Sequence, residues 1–450
     1  AREIAADTIV LLKNENNLLP LSPEKKIAFI GAYAQKPRFQ GSGSSHINAS
    51  KLLGALEAAA EYAEITYAQG FQDETDTTDP ALLKEAVETA RAADIAVLFV
   101  GLPGTFESEG YDRTHMRLPR CQDELVEAVA AVNPNTVVVL HNGSPVEMPW
   151  ADRVSAILEA YLGGQAVGGG EADVLFGKVN PSAKLAETFP YQLEDNPSFL
   201  NFPGDGDVVE YKEGIYVGYR YYDKKKMPVR FPFGFGLSYT TFAYTNLKLS
   251  KNHLQQGETL AVSVDITNTG NIKGKEIVQL YVQSTHEGIS RPAKELKGFE
   301  KVALEPGETK TVRFELTPRA FAYYEVKLND WYVEGGSYDI LIGASSQDIR
   351  LKESLEIAAG TPIPFEVTAD TLIKDLIQLP GANEILDDLI REVEKRFQSA
   401  DEEGGLGDAG SEMLKNIIIG MPLHGVRSWT DDTLTEERLQ RIIQTFNQQK

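Results

Sequence analysis

The chain has 450 residues, 42% of them hydrophobic and 9% aromatic, which is enough apolar material for two or three cored domains. Its 66 acidic side chains against 44 basic ones give a formal charge of −22, which argues against nucleic acid or an anionic membrane as partner, because both are held by basic patches. No stretch reaches the roughly 18 apolar residues of a membrane span, and Cys121 is the only cysteine, so no intrachain disulfide can form.

A neutral small molecule suits this charge better as a partner. A single cysteine fits a reducing, cytoplasmic compartment better than secretion. No signal-peptide pattern is present. Ala1 already lies inside a helical pattern, so the true N-terminus is expected to lie outside this sequence.

Residues 1–15 are expected to form an amphipathic helix, with Ile4, Thr8, Leu11 and Leu12 on one stripe. Asn14, Asn16 and Asn17 break it, and Leu18–Leu21 continues extended around Pro20. Lys26–Gly31 reads as a short buried strand. Phe39-Gln-Gly-Ser-Gly-Ser-Ser-His46 follows as a compact polar loop. It offers N–H groups and hydroxyls to a ligand but lacks the Gly-Lys-Ser/Thr ending of a phosphate loop. A plain connection is the reading that local sequence favours there.

The α/β alternation continues with a helix at Lys51–Tyr62, an extended segment at Glu64–Ala68 and a helix at Pro80–Ala93, opened by Asp79-Pro80. Asp94–Gly101 (DIAVLFVG) has the length and β-branched content of a buried strand. It runs into a Gly-Pro-Gly loop (Gly101, Pro103, Gly104) and then into residues 106–119, which carry Glu107, Glu109, Asp112 and Arg113. In α/β folds ligands bind at that carboxyl edge of the sheet. Carboxylates held there beside an arginine are candidates for acid/base work. A solvated acidic loop is the competing local reading.

A helix at Cys121–Val132 and strands at Thr136–His141 and Val154–Tyr161 come next, and Leu162–Gly170 reads as a second glycine-rich loop entering a helix at Glu171–Phe176. This pattern indicates an α/β sandwich domain, a mainly parallel sheet with helices on both faces, over residues 1–241. Residues 178–241 are rich in proline, glycine and aromatics. From 242 to 360 the period drops to two, with strands at Leu260–Asn268, Glu276–Gln283, Thr309–Leu316 and Tyr338–Ala344, the signature of an antiparallel sandwich. Residues 361–450 read as a helical tail, with helices at Asp370–Leu379, Ala382–Phe397 and Thr433–Phe446 and an acidic, glycine-rich linker at Asp401–Gly410. A packing or dimer role is its default.

Five segments, in this order, resemble glycoside hydrolase family 3, the β-glucosidase family. Ala5–Asn14 (AADTIVLLKN) is similar to the family's entry into its second domain. Glu109-Gly-Tyr-Asp-Arg113 with Leu118-Pro119 resembles its acid/base loop. Gly143-Ser-Pro145 with Trp150 is similar to the segment that follows. Asn180-Pro-Ser182 with Thr188-Phe-Pro190, and Phe233–Phe242 (FGFGLSYTTF), resemble its closing signatures.

The resemblance implies an α/β sandwich, a fibronectin type III-like β-sandwich and a helical tail. It also implies a retaining hydrolase of β-linked glucosides or oligosaccharides that needs no cofactor. By resemblance Glu109 is the acid/base, with Glu107 its rival; either would need a pKa raised toward neutrality. Ser44 matches a serine that reaches the substrate in some relatives. Asp112 and Arg113 are expected to hold the loop by local pairing. His46 and His115 show no metal-ligand spacing.

The family's nucleophile is an aspartate in a Ser-Asp-Trp setting on a (β/α)₈ barrel that precedes the sandwich. This sequence contains no Ser-Asp-Trp, and its one Asp-Trp pair, Asp330-Trp331, falls among the sandwich strands. A barrel takes roughly 250 residues, and none remain for it. The resemblance therefore implies the C-terminal part of an enzyme, working with a barrel domain or chain that carries the nucleophile. A β-xylosidase of the same family and a non-catalytic carbohydrate-binding or assembly module stand as alternatives. A nucleotide site on Gly163–Gly170 lacks the Gly-x-Gly-x-x-Gly spacing.

Overall fold

Six strands build the main sheet of this computed structural model, the central ones too apolar to face water: β1 (Val10–Asn14), β2 (Ile27–Ile30), β3 (Ile65–Ala68), β4 (Ile95–Gly101), β5 (Thr136–His141) and β6 (Ala156–Glu159). Their spatial order is β1-β6-β5-β4-β2-β3. All neighbours pair in parallel except β1, which runs antiparallel to β6 at the edge. Every residue of β2, β4, β5 and β6 is buried, as a sheet covered on both faces requires.

The structure describes residues 1–286, 289–379, 381–399, 413, 416–430 and 433–448; the 401–410 linker expected from sequence lies outside them. The chain divides into two compact units. One is Ala1–Tyr324 with Trp331–Gly360, and the other is Glu325–Asp330 with Thr361–Lys450.

In the first unit the helices fall in two packed groups. Helices α1 (Arg2–Thr8) and α2 (Ala55–Ala59) both pack on α5 (Val167–Leu175), and α3 (Pro80–Ala92) packs with α4 (Arg120–Ala130). Asp79 caps α3, its side chain accepting from the N–H groups of Ala81 and Leu82.

Two sequence expectations are corrected here. The helix expected over 1–15 stops at Thr8, and Val10–Asn14 is the edge strand β1 instead. Ile9, Val10, Leu11 and Leu12 are all buried, and a continuous apolar run satisfies a buried strand as well as a helical stripe. The triple glycine 168–170, expected in a loop, lies inside α5. A side chain at Gly168 would lie 2.2 Å from the Gly54 carbonyl carbon, and one at Gly170 2.7 Å from the Ala6 nitrogen. Glycine is there so that α5 can lie against the middle of α1 and the start of α2.

A short helix, α6 (Tyr219–Lys225), precedes the sandwich. One sandwich sheet is β12-β9-β7, made of β7 (Phe242–Leu249), β9 (Leu260–Asn268) and β12 (Thr309–Leu316). The other is β11-β10-β15-β16-β8, made of β8 (His253–Leu254), β10 (Gly274–Ser284), β11 (Glu295–Leu304), β15 (Gly336–Gly343) and β16 (Ile349–Ile357). Two further short strands are β13 (Tyr323–Glu325) and β14 (Asp330–Tyr332). Inward residues of both sheets, among them Val262, Val264, Leu280, Ile340 and Leu355, form a separate core.

Polar contacts join this sandwich to the α/β part. Lys184 pairs with Glu276 at 3.0 Å, both little exposed. Gln279 Nε2 donates to the Gly234 carbonyl at 3.0 Å. Gly234 has φ +79, and a side chain there would overlap the Gln279 amide, which explains a glycine in the Phe233–Phe242 motif. Asn180 accepts from Ser238 Oγ and Tyr239 N and donates to the Lys273 carbonyl. These motif residues are joints of the fold.

The second unit has its own core, including Leu376, Leu386, Leu389, Leu423 and Leu439. It contains α7 (Ile373–Leu376), α8 (Ala382–Ser399) and α9 (Glu436–Gln448). Arg438 holds Glu392 at 3.0 Å. Among the described residues no helix is long and apolar enough to cross a membrane.

Candidate active site

The sheet order reverses between β2 and β4. From β2 the chain goes to β3 on one side, while β4 lies on its other side. Loops leaving the carboxyl ends of two such strands diverge toward opposite faces and leave a crevice, the place where open α/β sheets bind ligands. The loop after β2 is Gly31–His46, which carries Arg38 and Ser44. The loop after β4 carries Glu107, Glu109 and Arg113. The end of β5 adds Asn142–Ser144.

Arg38 ties the first two loops together. Its guanidinium donates to Glu107 Oε2 at 2.6 Å, to the Glu107 carbonyl at 2.9 Å and to the Leu102 carbonyl at 2.6 Å. Glu107 Oε2 also accepts from Gly143 N at 2.8 Å, and its Oε1 accepts from the Ser144 hydroxyl. Arg113 closes the ring, donating to Ser144 Oγ at 2.8 Å and to the Pro145 carbonyl at 3.1 Å and lying 4.0 Å from Glu107. Burial pushes the Glu107 carboxyl up, but Ser144, Gly143 and Arg38 together outweigh that and hold it below the usual carboxylate range. Glu107 is an ionised anchor.

Glu109 is differently placed. It is exposed, and its Oε2 accepts from the backbone N–H of Ser44 at 2.6 Å. The Ser44 hydroxyl and N–H hold its carboxyl below the usual range. Gly43 has φ +84, and a side chain there would lie 2.6 Å from Glu109 Cβ and 2.7 Å from its Oε2. The Gly-Ser loop after β2 is therefore shaped to seat this one carboxylate. Tyr111 donates to the Gly104 carbonyl and closes the loop on itself.

The structure thus brings Ser44 to Glu109, and Arg113 to Glu107. Asp112 is exposed and makes no hydrogen bond or ion pair among the described residues. The local Asp112–Arg113 pairing expected from sequence does not form, because the Arg113 guanidinium is taken by Ser144 and the Pro145 carbonyl. Arg113 supports the loop across to β5 instead. The raised pKa expected of either glutamate is also absent: both are depressed.

Sequence reading missed Arg38, which carries no local signal, and Ser144, noted as part of a motif without its partner. Beneath the crevice lies a pair, His141 and Glu171, 3.1 Å apart and both fully buried. Burial pushes His141 down to about 4 and Glu171 up to about 8, disfavouring the charged form of each. Among the described residues no group of three His, Cys, Asp or Glu converges as a metal site would need.

Comparison with known proteins fits this geometry. Residues 9–239 match the glycosyl hydrolase family 3 C-terminal domain, and residues 276–346 a fibronectin type III-like domain. The thermostable β-glucosidase B of Acetivibrio thermocellus is 49% identical over 451 residues, covering 99% of this chain and 59% of that protein. An exo-α-(1→6)-L-arabinopyranosidase of Bifidobacterium longum is 46% identical over 360 residues, 78% of this chain and 47% of that one. A crystal structure of the family 3 β-glucosidase of Bifidobacterium adolescentis superposes with a TM-score of 0.79 at 43% identity, covering 86% of this chain and 56% of that one. The chain spans about half to three-fifths of the length of these relatives. It belongs to glycosyl hydrolase family 3, of which it carries the C-terminal domain followed by a fibronectin type III-like domain.

Proposed function

We propose that this chain supplies the general acid/base, Glu109, to a retaining β-glycosidase whose nucleophile sits on a (β/α)₈ barrel domain or chain. One observation carries the reading: the two loop carboxylates have different work. Glu107 is bound by a guanidinium, a hydroxyl and a backbone N–H, so its charge is committed. Glu109 is exposed at the crevice and held by Ser44 alone among the described residues. A proton donor must be free to lose and regain its proton.

In a retaining hydrolase the acid protonates the leaving oxygen while a second carboxylate, about 5–5.5 Å away, attacks the anomeric carbon; the acid then activates water. Water and Ser44 stabilise the Glu109 charge in the open loop. Covering that loop with substrate and a second domain would remove the water and raise the pKa toward the range of a general acid.

The substrate class is a β-D-glucoside, following the β-glucosidase relatives. The arabinopyranosidase relative supports a second reading. An α-L-arabinopyranoside presents its scissile bond in the same equatorial sense as a β-D-glucopyranoside and lacks the hydroxymethyl group. Residues outside this chain would decide between them, and between glucoside and xyloside.

The test is a chimera joining this chain to the part of the A. thermocellus enzyme that it does not span. Aryl β-D-glucoside, β-D-xyloside and α-L-arabinopyranoside are assayed. Turnover that Glu109→Gln lowers, and lowers most on the aryl groups that leave worst, supports the proposal. Sugar binding by a folded chimera without turnover on any substrate would favour a non-catalytic binding module.

A further inference from the structure

Two buried asparagines stand at the two ends of β5. Asn133 precedes it at the amino edge of the sheet and donates to the carbonyls of Ala90 and Ala93, at 2.9 and 3.1 Å. Asn142 follows it at the carboxyl edge and is wholly buried. Its Nδ2 donates to two acceptors, the Ser144 carbonyl and Glu159 Oε2, each at 3.0 Å. Glu159 ends β6 and is also wholly buried, and its other oxygen accepts from Tyr161 N at 2.9 Å.

We propose that Asn142 and Glu159 are positioning residues for the acid/base loop, an inference that rests on the reading of Glu109 as the acid/base. They shape the 142–144 turn so that its Gly143 N–H and Ser144 hydroxyl converge on Glu107, two residues from Glu109.

Placement is the first support. The Asn142 nitrogen closes the turn on the Ser144 carbonyl, and that turn carries two of the groups that hold the Glu107 carboxylate. The second support is what Glu159 costs. No cation pairs with it among the described residues, and burial pushes its carboxyl well above the usual range, with the Glu187 and Glu107 charges adding to the effect. A leucine of similar size would suit that place in the core better. The acid is kept for its two acceptor oxygens, which join the loops after β5 and β6. The third is backbone strain. Tyr161 has φ +51, a left-handed conformation that bulky residues rarely adopt, and Glu159 holds its N–H there. Such strain persists where surrounding structure imposes it, often at working sites. Asn142 Oδ1 has no hydrogen-bond partner among the described residues, so the nitrogen is what this side chain contributes.

The other asparagine supplies a matched control. Asn142→Leu and Asn133→Leu each remove a buried nitrogen that makes two hydrogen bonds, so both should lower the melting temperature. Only the first should disturb the site. Carbon-13 NMR of the glutamate carboxyls in this chain, with Glu107 assigned through Glu107→Gln, gives one readout. Glu107 should titrate higher, toward the usual carboxylate range, in Asn142→Leu and Glu159→Leu, and unchanged in Asn133→Leu. Glu159→Gln, which keeps one acceptor oxygen, should shift it less far, and carries the test if Asn142→Leu does not fold. Turnover of the chimera gives the other readout. Asn142→Leu should lower kcat about 10–100-fold with KM little changed, as a misplaced reacting group does. Glu159→Gln should keep more of the rate than Glu159→Leu, and Asn133→Leu should keep it all. The proposal is overturned if Asn142→Leu leaves the Glu107 titration and kcat where Asn133→Leu leaves them, or if both asparagine variants lose kcat equally. An inactive chimera beside a shifted Glu107 titration would instead refute the acid/base reading and leave the shaping of the turn supported.

Discussion

Replacing Arg38 with methionine keeps most of the side chain's volume and removes its charge. Arg38 and Glu107 are 9% and 17% exposed at their side chains and meet at 2.6 Å. At an effective dielectric of about 20 the gross attraction of such a pair is about 6 kcal/mol. Desolvating two ions offsets most of that, so the pair's net worth is small. Deleting one partner is another matter, since it strands the other charge and costs about 3–5 kcal/mol for a buried pair. Glu107 would keep Gly143 N–H and the Ser144 hydroxyl, which places Arg38→Met at the low end, about 3 kcal/mol.

Urea unfolding followed by Trp150 fluorescence measures this, with Trp331 and Trp429 changed to phenylalanine in every variant. The depressed Glu107 pKa fixes the pH dependence. A carboxyl whose folded pKa lies below its unfolded one contributes stability above the unfolded value and loses it as pH falls through the folded one. The penalty of Arg38→Met should therefore be full at pH 7 and shrink at acid pH. Adding Glu107→Gln should recover more than half of it. A penalty under about 1 kcal/mol at pH 7, or one that does not shrink in acid, would refute the view of Glu107 as an ionised anchor.

Other outcomes follow from the same geometry. Gly168→Ala should destabilise by about 1–3 kcal/mol in urea unfolding, since overpacking against the Gly54 backbone outweighs the roughly 1 kcal/mol helix-propensity gain; a stabilised variant would contradict the packing argument. Trp150 Nε1 donates to Asp123 at 2.8 Å, and burial pushes that carboxyl up to about 7. Its ionisation should cost stability as pH rises from about 4 to 7. Asp123→Asn should remove that loss and the matching step in Trp150 emission, and an unchanged pH profile would count against it. Gly43→Ala, strained at φ +84 and pressing on Glu109, should lower chimera turnover far more than it lowers the melting temperature.

Much of the fold was legible because burial leaves a plain trace. Thr136–His141, Leu260–Asn268 and Thr309–Leu316 are strands with the bounds their patterns predict. The first is apolar between Thr136 and His141 and wholly buried, and the other two alternate. Strand β11 went unread. It is an edge strand of its sheet, mostly half-buried or exposed, and its Lys and Glu residues mask the period. Residues 9–12 fit either a helix or a strand, and only pairing with β6 decides between them. Glycines 168–170 read as a loop because the backbones they let approach, at Gly54 and Ala6, are far away in sequence.

The site was legible as a loop and not as a mechanism. Glu107 and Glu109 are two residues apart in one acidic stretch, and local sequence treats them alike. Their difference lies in partners 69, 36 and 37 residues away for Glu107, and 65 away for Glu109. No periodicity encodes those contacts; the switch in sheet order brings them together.

The most direct test of the central claim compares Glu109→Ala with Glu107→Ala in the chimera, on aryl β-glucosides of graded leaving-group acidity, with and without azide. If Glu109 is the acid/base, its removal should cost about 10²–10⁴-fold on poor leaving groups and much less on good ones. Azide should then restore turnover and yield the β-glucosyl azide. Glu107→Ala should lose activity on all substrates alike, with no azide rescue. Rescue of Glu107→Ala, or a uniform and unrescued loss for Glu109→Ala, would contradict the account.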